Sequence, residues 1–178
     1  ADRLQHLVED LQELSRVEAV QFKLKTSAIK PVQLVEEAVT SIMPTFNKKG
    51  ISLGFSVPDH LPEIQADPDR VLQIFANLLG NALQFTPKGG KVNVRVNDIP
   101  GFLEFSITDT GVGIQPSHLP HIFERFYRAD PSRSRASGGG SGIGLTISKS
   151  LVEAHGGAIR AESAGKDQGS SFIFTLPK

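Results

Sequence analysis

Asn77 and Asn81 stand four residues apart in the stretch PDRVLQIFANLLGNALQF, where most other positions are apolar. A spacing of four puts both carboxamides on one face of a helix. Gln73 and Gln84 fall near the same stripe. An amide held against an apolar surface must find a partner or lose about 1 kcal/mol or more. Two readings stand side by side. Either each side chain satisfies neighbouring backbone, or the stripe faces a ligand and offers amide oxygens, which are hard ligands suited to Mg2+.

The segment DTGVGI at 109–114 is a second candidate. Asp109 ends an apolar alternating run, and a carboxylate there can accept from an amino group such as the exocyclic amine of adenine. Gly111 and Gly113 would let backbone approach a flat ligand. An ordinary strand end capped by aspartate is the competing reading. The third candidate is GGGSGIGL at 138–145, whose glycines run directly into a helix. Free N–H groups at a helix start attract anions. No Lys-Ser/Thr pair follows, and the spacing Gly140-x-Gly142-x-Gly144 is not a dinucleotide fingerprint. A flexible linker is the alternative here.

These residues need elements to hold them. Asp67 and then Pro68 make a helix start, and the spacing predicts a helix from there to Phe85. Pro31 opens another, from Val32 to about Phe46, after a break in pattern over 25–30. ISLGFSV reads as a half-buried strand, and LPEIQAD as a short strand running into Asp67. KVNVRVND and FLEFSITD flank the turn IPG and should form a hairpin. A helix from Ile143 to Ala154 stops at Gly156, and GGAIRAES and SSFIFTL close the chain as strands. Residues 110–141 are rich in Gly, Pro, Ser and Arg around one aromatic patch, FERFY, and read as a long functional or disordered loop. Near the start, Leu4, Leu7, Leu11 and Leu14 make a narrow apolar seam on a helix of about 18 residues, suited to a coiled coil or bundle. Together these elements predict an α/β (α+β) two-layer sandwich with a mixed sheet packed on helices, plus an N-terminal helix.

Composition narrows the chemistry. The 178 residues allow one domain with a real core and an appendage. Nineteen Lys and Arg balance nineteen Asp and Glu, so net charge offers no reason to expect nucleic acid or a membrane surface. Arg125, Arg128, Arg133 and Arg135 cluster, but Glu124 and Asp130 interrupt them. There is no cysteine, hence no disulfide, thiolate metal site or cysteine nucleophile. No apolar run reaches the roughly 20 residues of a membrane span. The opening ADRLQHLVED reads as mid-helix, which suggests a piece of a longer chain.

Taken together and in order, these motifs resemble the ATP-binding domain of sensor histidine kinases. NLLGNALQFTP is similar to that family's N box, DTGVGI to its G1 box, FERFYR to its F box and GSGIGL to its G2 box. LVEAHGGAIRAES and GSSFIFTLP are similar to its closing segments, so the likeness runs over about 20–178. The resemblance implies the Bergerat fold shared with gyrase, mismatch-repair and heat-shock ATPases, with 110–141 as a long ATP lid. It implies Mg2+ on Asn81, with Asn77 beside it as a second catalytic residue. It implies the adenine amine on Asp109 and the base along Gly111, Gly113 and Ile114. Phosphates would meet Arg128 and the backbone of Gly140, Ser141, Gly142, Ile143, Gly144 and Leu145. Phe123, Phe126 and Tyr127 would anchor the lid by burying their rings, with Tyr127 also at the nucleotide.

The same resemblance implies the rest of the system. ATP with Mg2+ would phosphorylate a histidine on a dimerisation helix, a response regulator would follow, and the parent would be a homodimer. Residues 1–20 would be the end of that dimerisation hairpin and 21–178 the catalytic domain, lying in the cytoplasm whether or not the parent is anchored in the plasma membrane. His6 is followed by Leu7, Val8 and Glu9, so the acceptor motif is not in this chain. His155 reads as structural, and His60, His118 and His121 carry no clear signal. Gln84 departs from the family's frequent Lys or Arg three residues after the second Asn, which leaves phosphate charge to Mg2+, Lys88 or Arg128. Asn77 stands where hydrolytic relatives carry a glutamate, and an amide is a poor general base. That favours a kinase over an ATP-driven motor; a non-catalytic nucleotide-binding module stays open.

Overall fold

Proline, aspartate and glycine set the ends of the helices. In chain order the elements are β1 (Ser27–Ile29), α1 (Pro31–Lys49), β2 (Ser52–Ser56), β3 (Ile64–Ala66), α2 (Pro68–Phe85), β4 (Lys91–Ile99), β5 (Phe102–Asp109), α3 (Gly144–Ala154), β6 (Ile159–Glu162) and β7 (Ser170–Pro177). This computed structural model describes Gln5, Val8, Glu9, Leu11, Gln12, Ser15, 23–128 and 142–178. The six described positions near the N-terminus are all helical. Of the leucine seam only Leu11 is among them, and it is about half exposed.

Pro31 occupies the first turn of α1, and Gly50 ends it in the left-handed region at φ 71°. The helix runs on past Phe46 to Lys49, because Gly50 is the first residue that can turn the chain this way. Asp67 caps α2: its carboxylate accepts from the Arg70 amide at 3.3 Å and the Lys25 amide at 2.8 Å. Its own amide donates to His155 Nε2 at 3.1 Å, while His155 Nδ1 lies 2.8 Å from the Leu151 carbonyl. His155 therefore ties the end of α3 to the start of α2, a structural post.

Five strands form one sheet in the order β2-β4-β5-β7-β6. β2 and β4 run parallel and the other neighbours antiparallel, so the sheet is mixed as expected. The break over 25–30 needs correction, since it holds β1, which pairs antiparallel with β3 from Ser27↔Ala66 to Ile29↔Ile64. Three residues are too few to show alternation, and only a partner distant in sequence defines the strand.

One face of the sheet carries the helices. Phe105 and Phe174 sit opposite each other on β5 and β7 and stack at 4.9 Å. Phe75 of α2 meets both rings edge-on, at 5.8 and 5.4 Å. All three are fully buried, and such ring pairs add about 0.5–1.5 kcal/mol each beyond the area they bury. The other face is polar, as an antiparallel sheet open to water on one side should be. There Glu162 and then Glu104 hold the Arg160 guanidinium more firmly protonated than usual, against some desolvation.

Candidate functional site

The end of β5 carries Asp109, which is 5% exposed. Its Oδ1 accepts from the Gly111 amide at 2.7 Å, and its Oδ2 from the Ser170 hydroxyl. The cross-strand register supplies that serine, since Asp109 pairs with Ser170. Each carboxylate oxygen has a further lone pair, so the buried charge can still accept from a ligand amine. Sequence reasoning missed Ser170, because a serine after glycine in a closing strand signals nothing until its opposite residue is known.

The turn after Asp109 is sewn to two neighbours. Val112 donates to the Phe85 carbonyl at the end of α2, at 3.2 Å. Asp167 and Gly169, in the β6–β7 loop, donate to Val112 and Gly111, and the Ile114 amide donates to Ser163 Oγ at 2.9 Å. This packing gives the two glycines a reason within the fold itself. A Cβ on Gly111 would lie 2.5 Å from the Phe85 carbonyl oxygen, and one on Gly113 only 1.9 Å from that of Gly165. Gly113 is also left-handed, at φ 69°. What approaches these glycines is the chain's own backbone.

Asn77 and Asn81 project from one side of α2, both partly buried. Asn77 Nδ2 donates to the Gly144 carbonyl at 3.0 Å and to Ser148 Oγ at 3.2 Å. Through its amide nitrogen it bolts the start of α3 against α2. Asn81, one turn further on, makes no side-chain hydrogen bond among the described residues. Its amide oxygen is a hard donor of the kind Mg2+ takes when most other ligands are water and phosphate. Gln84 adds no charge. Lys49 reaches this end of α2 but spends its ammonium on the Leu83 and Gln84 carbonyls, and the Lys88 stem packs near Gly50.

The glycine-rich start of α3 is described from Gly142, which is left-handed at φ 75°; Gly140 and Ser141 lie outside the described residues. Ile143 is fully buried and sets the depth of the helix start, so α3 begins at Gly144. Leu145 is partly buried against the core.

The expected lid splits at Arg128. Residues 129–141 lie outside the described residues, whereas 110–128 run through turns and bends without helix or strand, some of them packed on the core. Phe123 packs edge-on to Phe172 at 6.4 Å, and its carbonyl accepts from Thr146 Oγ1. Tyr127 is partly buried. Phe126 corrects the aromatic-anchor expectation, because the residue is 52% exposed. Its backbone is left-handed at φ 60°, which costs a side-chain-bearing residue roughly 1–2 kcal/mol. A bond from its amide to the Gly142 carbonyl opposes that cost, so the backbone of Phe126, rather than its ring, joins this segment to α3.

Two buried polar atoms find no hydrogen-bond partner among the described residues: Thr86 Oγ1 at the end of α2 and Arg128 Nη2. A buried unpaired donor costs about 1–3 kcal/mol, which a bound oxyanion at Arg128 would relieve. A cleft of about 260 Å3 opens beside Asp109, lined by Thr108, Glu162, Gln168 and Ser171 among others.

The pattern of the "Histidine kinase-, DNA gyrase B-, and HSP90-like ATPase" family matches residues 66–178. The chain is 33% identical to the sensor histidine kinase WalK of Bacillus subtilis over 99% of its own length, and 37% identical to the signal transduction histidine-protein kinase BaeS of Escherichia coli over 89%. It spans only 29% and 33% of those proteins. Among solved structures, full-length ShkA in complex with AMPPNP superposes with a TM-score of 0.88 at 33% identity, over 99% of this chain and 36% of that one. The nucleotide-free catalytic domain of the histidine kinase ThkA gives 0.75 at 25% identity, over 87% of this chain and 97% of that one. No described helix is long and apolar enough to cross a membrane.

Proposed function

Because the chain belongs to the histidine kinase-, DNA gyrase B- and HSP90-like ATPase family, we propose that it is the ATP-binding catalytic domain of a sensor histidine kinase. One observation carries the choice of kinase over hydrolase. Asn77 commits its amide nitrogen to Gly144 and Ser148. It is a strut between helices and has no basic group with which to activate water.

In this reading Asp109 accepts from the adenine amine, held in place by Gly111 and Ser170. The base lies along the turn from Gly111 to Ile114, near the end of α2. Asn81 would hold Mg2+ by its amide oxygen, and the ion would supply charge balance for the phosphates. Arg128 turns its unpaired Nη2 to a phosphate oxygen, and backbone amides at the start of α3, with Gly140 and Ser141 before it, meet the rest. An imidazole nitrogen on the dimerisation helix attacks the γ-phosphorus in line. The bond to the β,γ-bridging oxygen breaks and ADP leaves.

Residues 1–20 are then the tail of the dimerisation hairpin and 21–178 the catalytic domain. The parent works as a homodimer, and a response regulator takes the phosphoryl group on. The resemblance of the sensor kinases above supports a domain on the cytoplasmic side. Gln84 favours one other reading, a nucleotide-binding module without transfer, since it withholds a charge from the phosphates.

Labelled ATP separates these readings. The chain alone should bind Mg-ATP, hydrolyse it slowly and take no stable label. A polypeptide carrying the parent's acceptor helix should become labelled at histidine in its presence. Rapid multiple-turnover hydrolysis by the chain alone would favour a motor, and binding without transfer to the helix would favour the regulatory module.

A further inference from the structure

The segment leading to Arg128 is built as a ladder of tight turns. The amides of His118, His121, Glu124 and Tyr127 donate to the carbonyls of Gln115, His118, His121 and Glu124, at 2.9, 2.9, 2.8 and 3.3 Å. Each bond links residues three apart, so the turns follow one another directly. Side-chain contacts bring the two histidines, the glutamate and the tyrosine together.

The first and last of these four close on each other. His118 Nδ1 and the Tyr127 hydroxyl are 2.6 Å apart, and both residues are partly buried. Between them the His121 ring lies 5.5 Å from the Tyr127 ring, and His121 Nδ1 meets Glu124 at 2.7 Å. The ladder is thus pinned end to end by one imidazole–phenol bond. Immediately before the pinned tyrosine the chain makes its left-handed turn at Phe126. Immediately after it comes Arg128, with its buried, unpartnered nitrogen.

We infer that His118 is a positioning residue for the nucleotide phosphates, acting through Tyr127 on Arg128. The inference rests on the nucleotide site proposed above. Its physical basis is short-range. A tyrosine bonded at both ends, by its amide to the Glu124 carbonyl and by its hydroxyl to His118, leaves the next residue little freedom of direction. A guanidinium aimed beforehand gives up less freedom on meeting an anion than one that must first be ordered. His118 itself touches no ligand, so removing it should weaken only what Arg128 does.

The test compares Mg-ATP with adenosine, which lacks phosphates. Affinities are measured by calorimetry or chemical-shift titration on the whole chain, for the wild type and for His118→Ala, Tyr127→Phe, Arg128→Ala and the pair His118→Ala with Arg128→Ala. His118→Ala and Tyr127→Phe should each lower Mg-ATP affinity about two- to tenfold, the size of one lost hydrogen bond. Adenosine affinity should not change in His118→Ala. In the Arg128→Ala background, His118→Ala should have no further effect on Mg-ATP. His118→Asn, which can place an amide atom where Nδ1 was, should restore most of the loss, and melting temperatures show whether any variant is merely unfolded. Equal losses for adenosine and Mg-ATP, or an undiminished His118→Ala effect without Arg128, would overturn the inference while leaving the nucleotide site standing. A wild-type chain that binds neither ligand would remove the site itself, and the inference with it.

Discussion

Replacing Asp109 by Asn probes both base recognition and the fold, and the two effects separate. In the folded chain the carboxylate accepts from the Gly111 amide and the Ser170 hydroxyl. The Gly111 amide can only donate, so the Asn oxygen must stay on that side. Its NH2 then faces Ser170, whose hydroxyl can rotate and accept. The internal network survives with weaker, neutral bonds, at a cost of about 1 kcal/mol. For a chain of this length that is a fall of roughly 2–4 °C in melting temperature. Binding should suffer more. The proposed bond from the adenine amine loses its charged acceptor and can meet a donor instead, worth about 1.5–3 kcal/mol, or roughly ten- to 150-fold in Kd for ATP. Guanine carries a carbonyl where adenine carries that amine, so the binding of GTP should change far less. Calorimetry with both nucleotides reads the ratio directly. Equal losses for ATP and GTP would show that Asp109 only holds the Gly111 turn and Ser170 together.

Asn81→Ala should abolish the Mg2+ dependence of nucleotide binding with little change in melting temperature, whereas Asn77→Ala should cost about 1–3 kcal/mol of stability by unbolting α3 from α2; thermal melts with and without Mg-ATP distinguish them. Gly113→Ala should destabilise by about 2–5 kcal/mol, combining the left-handed backbone with a methyl group driven into the Gly165 carbonyl. Gly80→Ala should do the opposite and stabilise by about 0.5–1 kcal/mol, because it lies inside α2 with nothing within 4 Å of the new methyl group. Urea titrations of the two glycine variants should therefore shift in opposite directions.

Local rules wrote much of this architecture into the sequence. Pro31 and Gly50, and Asp67 with Pro68, act within one helical turn of themselves, so the ends they set need no tertiary partner. Alternation in β4 and β5 reports which face is dry, and the hairpin follows from the short turn between them. The motifs were legible for the same reason. Asn77 and Asn81 share a face because a helix repeats every 3.6 residues, and the family likeness is a matter of residue order.

What each of those residues does was decided by neighbours far along the chain. Asn77 became a strut only because Gly144 and Ser148 arrive beside it, 67 and 71 residues later. Gly111 and Gly113 are glycines because the Phe85 and Gly165 carbonyls come so close, and β1 exists only through β3. The family resemblance implies an anchor at Phe126, but its backbone is left-handed, its side chain is exposed, and its amide does the joining. His118, silent in the sequence, acquires a task from a tyrosine nine residues on. Side-chain type and spacing state what a residue is able to bind, and packing then settles which partner reaches it first, because an N–H already donated inside the fold is no longer on offer to a ligand, whereas an oxygen with a second lone pair still is.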